Sequence, residues 1–275
     1  MIRRFSSVSF GRWPNPFNVS WTMRPGPVHM GERLDVALVR RGMADSRTKA
    51  HRLIASGAVS VDGSVVAKPS AIVSTDVPIE VEPGPGYVSR GALKLVGAFE
   101  SFARYGLTAP RGMDCLDIGA STGGFTQVLL RGGAGRVIAL DVGHGQLHPD
   151  LAHDPRVVEM SGVNIRDVEA GDLPFVPELV VSDVSFISMT LVIPVISRIT
   201  RPGARIVVLV KPQFEVGRRN LGHHGVVRDE GLRRSSLDGV SRCAADHGLD
   251  VVSTAESPVV GMHGNREYLL YAVRR

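Results

Sequence analysis

Residues 116–127 read LDIGASTGGFTQ, and the rest of the chain is organised around them. An apolar run precedes the glycines and another follows, which predicts a short buried strand, a tight turn and the start of a helix. Three glycines in six residues let backbone N–H groups approach a ligand, and the N-terminus of the helix carries partial positive charge. We therefore expect a nucleotide-like ligand above the carboxyl end of the strand.

The spacing of this turn narrows the choice of ligand. It is D-x-G-x-S-x-G-G, whereas turns that bind a dinucleotide pyrophosphate read G-x-G-x-x-G. Asp117 stands just before the turn, where it would repel a pyrophosphate but could bind an amine. Asp141 follows the next apolar run, where it is placed to accept both hydroxyls of a ribose. These features favour S-adenosylmethionine over a nicotinamide cofactor or a purely structural turn.

The predicted donor-binding residues lie on the turn and after the strands that flank it. Among them, Asn164 stands where the third strand passes into its loop, a position from which a side chain can contact an adenine ring. The full predicted set is Asp117, Gly119, Ala120, Ser121, Gly123, Gly124, Phe125, Asp141, Val142, Asn164 and Asp183.

Composition limits the class of protein. At 275 residues the chain can form one large domain, or a large and a small one. A hydrophobic content of 43% and a charged content of 21% are typical of a soluble globular protein. The sequence contains no run of ~18 apolar residues, so it predicts no membrane-spanning segment. The net charge of +5 favours a polyanionic partner. Cys115 and Cys243 fit no metal or redox spacing, so we expect no metal site and a cytoplasmic location.

Residues 1–30 differ from the remainder. They contain four arginines and both tryptophans but no Asp or Glu. A targeting peptide has this kind of composition, but no apolar segment follows the basic start. We interpret the segment as a disordered leader or a mispredicted translation start.

From residue 31 the pattern becomes regular and predicts a small α+β domain over residues 31–82. Two short helices with apolar faces precede a hairpin signal at Asp62 and Gly63. Basic residues concentrate in the helices, where they could grip a phosphate backbone, although charge alone fits an ordinary solvated surface equally well. The candidate RNA-binding residues are Arg33, Arg40, Arg41, Arg47, Lys49, Arg52 and, at the end of a predicted linker over residues 83–90, Arg90.

The order of residues between positions 33 and 63 favours the RNA-binding interpretation. The chain reads R-L-D-x-x-L, then G-x-x-x-S-R-x-x-A, then I-x-x-G-x-V-x-V-D-G. This pattern resembles the S4 RNA-binding domain. The resemblance implies that the helix pair lies on structured RNA, which is recognised by shape and backbone more than by sequence.

Residues 91–275 alternate between strand and helix patterns, which predicts an α/β fold whose mostly parallel sheet is covered by helices on both faces. Asp183 and Lys211 each follow a strand, and Glu267 precedes the last one, so an antiparallel last strand would bring all three to one edge. Lys94 by itself reads as a surface lysine, but together with the other three it would form a Lys-Asp-Lys-Glu set beside the donor.

The reaction type follows from what stands at these positions. Methylation of an exocyclic base nitrogen typically uses an Asn/Asp-Pro-Pro-aromatic element, whereas residues 183–186 read DVSF. Neither cysteine is placed to attack a pyrimidine carbon. A ribose hydroxyl remains, and a lysine whose pKa is lowered by burial and by a second lysine can take its proton. We assign Lys211 as the base, positioned by Lys94, Asp183 and Glu267.

Residues 31–275 resemble the TlyA family, the S4-containing, FtsJ-like ribosomal RNA cytidine 2′-O-methyltransferases also labelled hemolysins. The resemblance rests on the S4 pattern and on SRGALKL (89–95), DIGASTGGFT (117–126), DVGHGQL (141–147), DVSFIS (183–188), VKPQFE (210–215) and GNREY (264–268). It implies an α/β, Rossmann-like fold of the class I S-adenosylmethionine-dependent methyltransferase type, with a mostly parallel seven-stranded sheet whose last strand is antiparallel. It also implies that Lys94, Asp183, Lys211 and Glu267 form the catalytic tetrad and that the linker helps couple RNA docking to donor binding. The chain ends soon after Glu267, as in family members restricted to large-subunit RNA, so we favour that substrate over small-subunit RNA.

Two other classes of function remain as alternatives. One is a non-catalytic RNA-binding or ribosome assembly factor that keeps the donor site as a relic, although a relic would not be expected to retain all four tetrad residues. The other is a membrane-lytic protein, for which the sequence offers no span and no long basic amphipathic helix. We expect ribosomal RNA or a ribosomal subunit as the partner, no membrane, and a monomer or weak dimer.

Overall fold

The computed structural model of the protein describes residues 31–55, 57–81, 86–222, 225–261 and 264–275. The predicted leader and residues 83–85 of the predicted linker lie outside these ranges. The strands are β1 Gly31–Arg33, β2 Val59–Val61, β3 Ser64–Val65, β4 Ile72–Ser74, β5 Ile79–Val81, β6 Asp114–Ile118, β7 Arg136–Asp141, β8 Val157–Ser161, β9 Leu179–Ser182, β10 Arg205–Val210, β11 Leu249–Glu256 and β12 Tyr268–Arg274. The α-helices are α1 Leu34–Arg40, α2 Arg47–Ala55, α3 Ala92–Phe102, α4 Gly124–Arg131, α5 Pro149–Ala152, α6 Met189–Ile199, α7 Pro212–Glu215 and α8 Glu230–Asp246.

The larger part of the chain is built on a seven-stranded sheet with the order β11-β12-β10-β9-β6-β7-β8. Strands β10, β9, β6, β7 and β8 are parallel to one another, and β12 is antiparallel to both of its neighbours. This confirms the predicted sheet. It also means that the start of β12 lies at the same edge as the ends of β6, β7, β9 and β10.

Both faces of this sheet are buried, which explains the nearly continuous apolar runs of its central strands. In β10, Ile206 and Val208 belong to a core shared with α6 and α8. The alternate residues Val207 and Leu209 belong to a second core, shared with α3 and α4. Each of these side chains is almost completely buried and stabilises the fold by roughly 2 kcal/mol. The sheet edge that carries the site is therefore held by packing on two sides.

The N-terminal unit has its own core, formed by α1, α2 and the short strands around them. Its largest fully buried side chains are Leu34, Leu38 and Ile54. Strand β2 pairs with both β3 and β5. Asp62 and Gly63, at φ 50° and 72°, form the two-residue turn of the β2–β3 hairpin, which confirms the predicted turn.

Three local features go beyond the prediction. Strands β1 and β4 pair with each other, but three-residue strands are too short to show a period in sequence. The segment after Lys211 contains the short helix α7, which Pro212 begins because its fixed φ suits the first helical position. Strand β11 lies at the edge of the sheet and spans eight residues, of which every second side chain is exposed. None of the helices in the described ranges is long and apolar enough to cross a membrane.

Candidate active site

The four predicted tetrad residues meet at the edge of the sheet. Lys94 Nζ lies 2.7 Å from Glu267 Oε2 and 3.2 Å from Asp183 Oδ2. Lys211 Nζ lies 2.6 Å from Asp183 Oδ1 and donates a hydrogen bond to Ser185 Oγ at 2.9 Å. Asp183 is therefore shared between the two ammonium groups. The structure brings together residues that are up to 173 positions apart in the chain.

Each tetrad side chain is placed by a different element. Lys94 projects from the first turn of α3 and is 8% exposed, so it is not the surface lysine that its flanking leucines suggest. Asp183 directly follows β9, and Lys211 follows β10. Glu267 precedes β12, and the antiparallel pairing of β12 with β10 sets Tyr268 opposite Val210. The reversal of this one strand thus brings Glu267 to Lys94.

Burial and charge compete in this cluster. Burial by itself lowers the pKa of Lys94, but the carboxylates of Asp183 and Glu267 outweigh it, so the pKa of Lys94 lies above its ordinary value. Burial likewise opposes the ionisation of Asp183, but Lys211 and Lys94 overcome it and hold the pKa of Asp183 below its usual range. Lys94 is therefore held as a charged ammonium group. Its two carboxylate partners stabilise the charged form more than burial destabilises it.

The glycine turn between β6 and α4 passes close to this cluster. Gly119 has φ 84°, and a Cβ added to it would lie 3.1 Å from the carbonyl oxygen of Asp183, so only glycine fits there. The Asp141 carboxylate accepts hydrogen bonds from the backbone N–H of Ser121 and of Gly143, each at 2.8 Å. One N–H engages each carboxylate oxygen, which fixes the orientation of the group and leaves each oxygen a further lone pair.

Two cavities open at this edge. The first, which we call the lysine cavity, has a volume of about 500 Å³ and is lined by Lys94, Lys211 and Glu267 together with the turn. The second, which we call the Asp141 cavity, has a volume of about 670 Å³ and is lined by Asp141, Val142 and Asn164. Residues that line both cavities are Gly119, Ser121, Asp183, Ser185 and Phe186. The two cavities therefore adjoin at the end of β9.

Nine of the eleven predicted donor-binding residues line one or both cavities: Gly119, Ala120, Ser121, Gly124, Phe125, Asp141, Val142, Asn164 and Asp183. Gly123 is an exception, because it sits at the start of α4 and faces Leu147 and Leu151. Asn164 is also the N-cap of a short 3₁₀ turn, where its side chain accepts from the N–H of Arg166. That these residues contact a donor stays a prediction.

Asp117 is the second exception. Its carboxylate is fully buried and lines neither cavity, so it cannot touch a ligand there in the way the sequence suggests. Oδ2 accepts a hydrogen bond from Thr126 Oγ1 at 2.7 Å, and Oδ1 has no partner among the described residues. Burial raises the pKa of Asp117 to about 7, against the opposing effect of Thr126. Its visible role is to tie the end of β6 to the first turn of α4, and thereby to hold the glycine turn.

Sequence reasoning did not assign several residues that line the lysine cavity. Gln213 donates to Glu267 Oε1 at 3.1 Å. The Phe186 ring is 85% exposed and lies 5.3 Å, between centroids, from the ring of Phe214. All three residues lie in stretches that the sequence analysis had singled out: Phe186 in DVSFIS, and Gln213 and Phe214 in VKPQFE. No local pattern, however, shows that these two stretches face each other.

The segment that enters this part of the chain is bound to α4. Gln127 accepts from the N–H of Val88 at 2.8 Å and donates to the carbonyl of Gly86 at 3.1 Å. Arg131 donates to the same carbonyl at 2.7 Å, and its guanidinium lies 4.6 Å from the centre of the Tyr87 ring. The helix that begins at the glycine turn therefore also holds residues 86–88.

The predicted RNA-binding residues are largely engaged within the N-terminal unit. Asp35 is buried, and Arg33, Arg47 and His51 lie 2.9, 2.7 and 2.9 Å from its carboxylate oxygens. The hydrogen bonds from Arg33 and then from Arg47 and His51 hold the pKa of Asp35 far below its usual range, although desolvation opposes them. The two arginines and the histidine nevertheless remain about half exposed. We call these four residues the Asp35 cluster.

The other candidates are more scattered. Arg40 pairs with Glu32, and Arg41 donates to the carbonyls of Val77 and Thr75. Lys49 is exposed, and the side chain of Arg52 lies outside what the structure describes. Arg90 donates weakly to the Val260 carbonyl, at 3.4 Å. Contact between these residues and RNA stays a prediction. Within the described ranges, no group of three or more His, Cys, Asp or Glu side chains is arranged to hold a metal ion.

Comparison with known proteins agrees with this geometry. The profile of the FtsJ-like methyltransferase family matches residues 87–274, and that of the S4 domain matches residues 32–79. The chain is 46% identical over 241 residues to the 16S/23S rRNA (cytidine-2′-O)-methyltransferase TlyA of Mycobacterium tuberculosis, covering 87% of this chain and 88% of that protein. It is 41% identical over 243 residues to Hemolysin A of Brachyspira hyodysenteriae, covering 88% of this chain and 99% of the other.

A solved structure points the same way. A candidate hemolysin from Streptococcus thermophilus superposes with a TM-score of 0.69 at 37% identity, over 90% of this chain and 89% of that one. The matches span both the N-terminal unit and the seven-stranded sheet. The chain therefore belongs to the TlyA family of FtsJ-like methyltransferases that carry an N-terminal S4 domain.

Proposed function

We propose that this methyltransferase transfers a methyl group from S-adenosylmethionine to the 2′-hydroxyl of a cytidine in ribosomal RNA, with large-subunit RNA as the favoured substrate. The observation that carries the proposal is the convergence of Lys94, Asp183, Lys211 and Glu267 in one cavity beside the glycine turn. A ribosomal RNA substrate also accounts for the S4 domain, and with it we propose a cytoplasmic location. We also propose that residues 1–30 form the leader, 31–82 the S4 domain, 83–90 the linker and 91–275 the methyltransferase domain.

The Asp141 cavity and the adjoining turn fit the methyl donor. When bound, S-adenosylmethionine supplies a methyl group that its sulfonium makes electrophilic. Asp141 would accept the ribose hydroxyls with its free lone pairs, and Val142 and Asn164 would face the adenine. Gly119 lets the turn pass close to Asp183, at the end of β9. A side chain at position 119 would collide with the backbone of Asp183. The lysine cavity, on the other side of Asp183, then receives the target nucleotide.

The arrangement suits proton removal from a hydroxyl group. Lys94 is poorly suited as the base because two carboxylates hold its ammonium group charged. Among the described residues Lys211 has one carboxylate neighbour, and we assign it the proton of the attacking 2′-hydroxyl, while Asp183 and Ser185 orient its Nζ. For this step Lys211 must be the neutral amine, its own proton having first passed to solvent. Lys94 stays cationic and fixes both carboxylates, and Gln213 fixes Glu267 from the other side. Direct attack then depends mainly on holding the hydroxyl in line with the methyl group.

The test measures transfer of a radiolabelled methyl group from S-adenosylmethionine to ribosomal RNA from cells that lack this protein. Wild type and Lys211→Ala are compared on separated large- and small-subunit RNA. We expect label at one cytidine that resists alkaline cleavage, and a loss of about 10³-fold in rate for the variant. Lys68→Ala, which changes an exposed lysine outside the cavity and outside the predicted RNA-binding set, is a control for loss of a lysine as such.

Three results would contradict the proposal. Label on a base atom would show that the protein is a methyltransferase but would contradict the 2′-hydroxyl as the target. Equal rates for wild type and Lys211→Ala would overturn the assigned base. No label on any form of RNA, with folded protein, would favour the RNA-binding factor instead.

A further inference from the structure

Two segments lie where the two cavities adjoin, and hydrogen bonds or ion pairs connect them to each other at both of their ends. The first loop, residues 183–188, leads from β9 to α6, and the second, residues 211–215, consists of Lys211 and α7. At the sheet end, Lys211 joins the loops through Asp183 and Ser185. At the far end they are joined by Glu215, a residue that the tetrad does not include.

Glu215 binds the beginning of α6 with both carboxylate oxygens. Oε2 accepts a hydrogen bond from Ser188 Oγ at 2.5 Å, and Oε1 accepts one from the backbone N–H of Met189 at 2.8 Å. The first N–H groups of a helix have no partner within it, and a negative charge is favourable at that end. Ser188 Oγ also lies 2.7 Å from Thr190 Oγ1. We call these contacts of Glu215 the Glu215 bridge.

The residues between the two joints need such support. Phe186 has φ 65°, in the left-handed region that a bulky side chain rarely adopts. Backbone in such a conformation persists only where its surroundings hold it. Here the Phe214 ring, which α7 presents, packs against the Phe186 ring, and the Glu215 bridge anchors α7 on the other side.

The bridge also spans the two cavities. Ser188 and Leu191, on the α6 side, line the Asp141 cavity, whereas Lys211, Gln213 and Phe214, on the α7 side, line the lysine cavity. Glu215 itself lines neither. Burial raises the pKa of Glu215 against the hydrogen bonds from Ser188 and Met189, so the carboxylate occupies this place at a cost in free energy.

We infer that Glu215 is a positioning residue for methyl transfer, an inference that rests on the proposed function. By holding α7 against the first turn of α6, the Glu215 bridge sets the distance between Lys211 in the lysine cavity and the donor in the Asp141 cavity. Glu215 acts through Lys211 and does not touch the reacting atoms.

The test compares Glu215→Gln with Glu230→Gln, the same change at an exposed carboxylate in the first turn of α8. A misplacement of about 1 Å can cost up to about 100-fold in rate, so we expect kcat to fall about tenfold in Glu215→Gln. The Kd for S-adenosylmethionine, measured by calorimetry, and Tm should match those of Glu230→Gln. Ser188→Ala should show a comparable loss of kcat, and the double variant no further loss, because each change removes the hydrogen bond that Glu215 Oε2 accepts from Ser188 Oγ.

Hydrogen exchange gives a second readout that needs no turnover. Amides of residues 184–190 and 213–216 should exchange faster in Glu215→Gln, and those of α4 should not. An unchanged kcat, or unchanged exchange in both loops, would overturn the inference, and so would equal losses of kcat, donor affinity and Tm, which would mark a merely structural residue. If wild type methylates no RNA, the proposed function fails, while exchange still decides whether Glu215 holds the loops together.

Discussion

The tetrad and the Asp35 cluster are both built from carboxylates and cations, but they differ in which partner is buried. In the tetrad all four side chains are at most 18% exposed, and two positive charges face two negative ones. In the Asp35 cluster only the carboxylate is buried, while Arg33 and Arg47 are 44% and 61% exposed. The first is nearly closed to water and balanced, and the second presents surplus positive charge to solvent.

This difference teaches how one kind of interaction serves two tasks. A balanced cluster with little access to water keeps its charges strong and fixed, which suits proton transfer at one atom. A buried carboxylate beneath exposed cations orients them while leaving donor groups free for phosphates. If burial causes this difference, removing a charge from the tetrad should lower stability more than removing one from the Asp35 cluster, and an exposed ion pair should matter least.

Lys94→Gln should have the largest effect, because it leaves Asp183 and Glu267 buried without their shared cation. Removing one partner of a buried ion pair typically lowers the free energy of unfolding by about 4 kcal/mol, and we expect a loss of that size in urea denaturation. Methyl transfer should fall with it. Lys49→Gln, at an exposed site, should unfold like wild type, and a similar stability for both variants would refute the contrast.

Asp35→Asn should have an intermediate effect, since the released arginines can regain water. Hydrogen bonds to charged groups contribute a few kcal/mol, so we expect the N-terminal unit to lose about 2 kcal/mol, measured by hydrogen exchange. RNA affinity should fall while the Kd for S-adenosylmethionine stays unchanged. Retained RNA affinity would show that Asp35 does not organise an RNA-binding surface.

The same variant has a defined pH dependence. Arg33 first, then Arg47 and His51, hold the pKa of Asp35 below its value in the unfolded chain, so the carboxylate stabilises the fold above that unfolded value, about 4. The contribution is lost as the pH falls below it. Wild type and Asp35→Asn should therefore differ in stability at pH 7 and converge in acid, and a constant difference would contradict the assignment.

Arg40→Ala should have the smallest effect. Arg40 and Glu32 form an ion pair at 2.5 Å, but half of the arginine side chain is exposed. Exposed pairs typically contribute about 0.5 kcal/mol, and salt screens them. We expect a change of this size in chemical denaturation, and its disappearance in 1 M NaCl. A larger loss would show that exposure does not separate this pair from the Asp35 cluster.

Much of the site could be predicted because it follows strand ends. Asp141, Asp183 and Lys211 each stand directly after an apolar run, and parallel strands bring such residues to one edge. Glu267 was predicted on the condition that its strand is antiparallel, and the pairing of β12 with β10 meets that condition. Lys94 could be assigned only by its fit with the other three, since its own helix gives no sign that it is buried.

Where prediction failed, the cause was close packing that the sequence pattern does not show. The position of Asp117 before the turn suggested an exposed carboxylate, but the close packing of α4 on β6 buries it against Thr126. Lys94 by itself suggested an exposed lysine, but Asp183 and Glu267 bind it in a buried cluster and raise its pKa. The burial of a carboxylate and the pKa of a lysine depend on distances between side chains, which the spacing of apolar residues in the sequence does not give.

The amino-acid sequence by itself determined the strand–turn–helix at residues 116–127, the order of the central elements and the S4 pattern, because each follows from local spacing of apolar residues, glycines and caps. Only the tertiary structure decided that Asp35 gathers two arginines and a histidine, that Phe186 meets Phe214 and that Glu215 joins α7 to α6. Those contacts arise when the sheet order brings distant loops to one edge, where burial and distance set the strength of every charge.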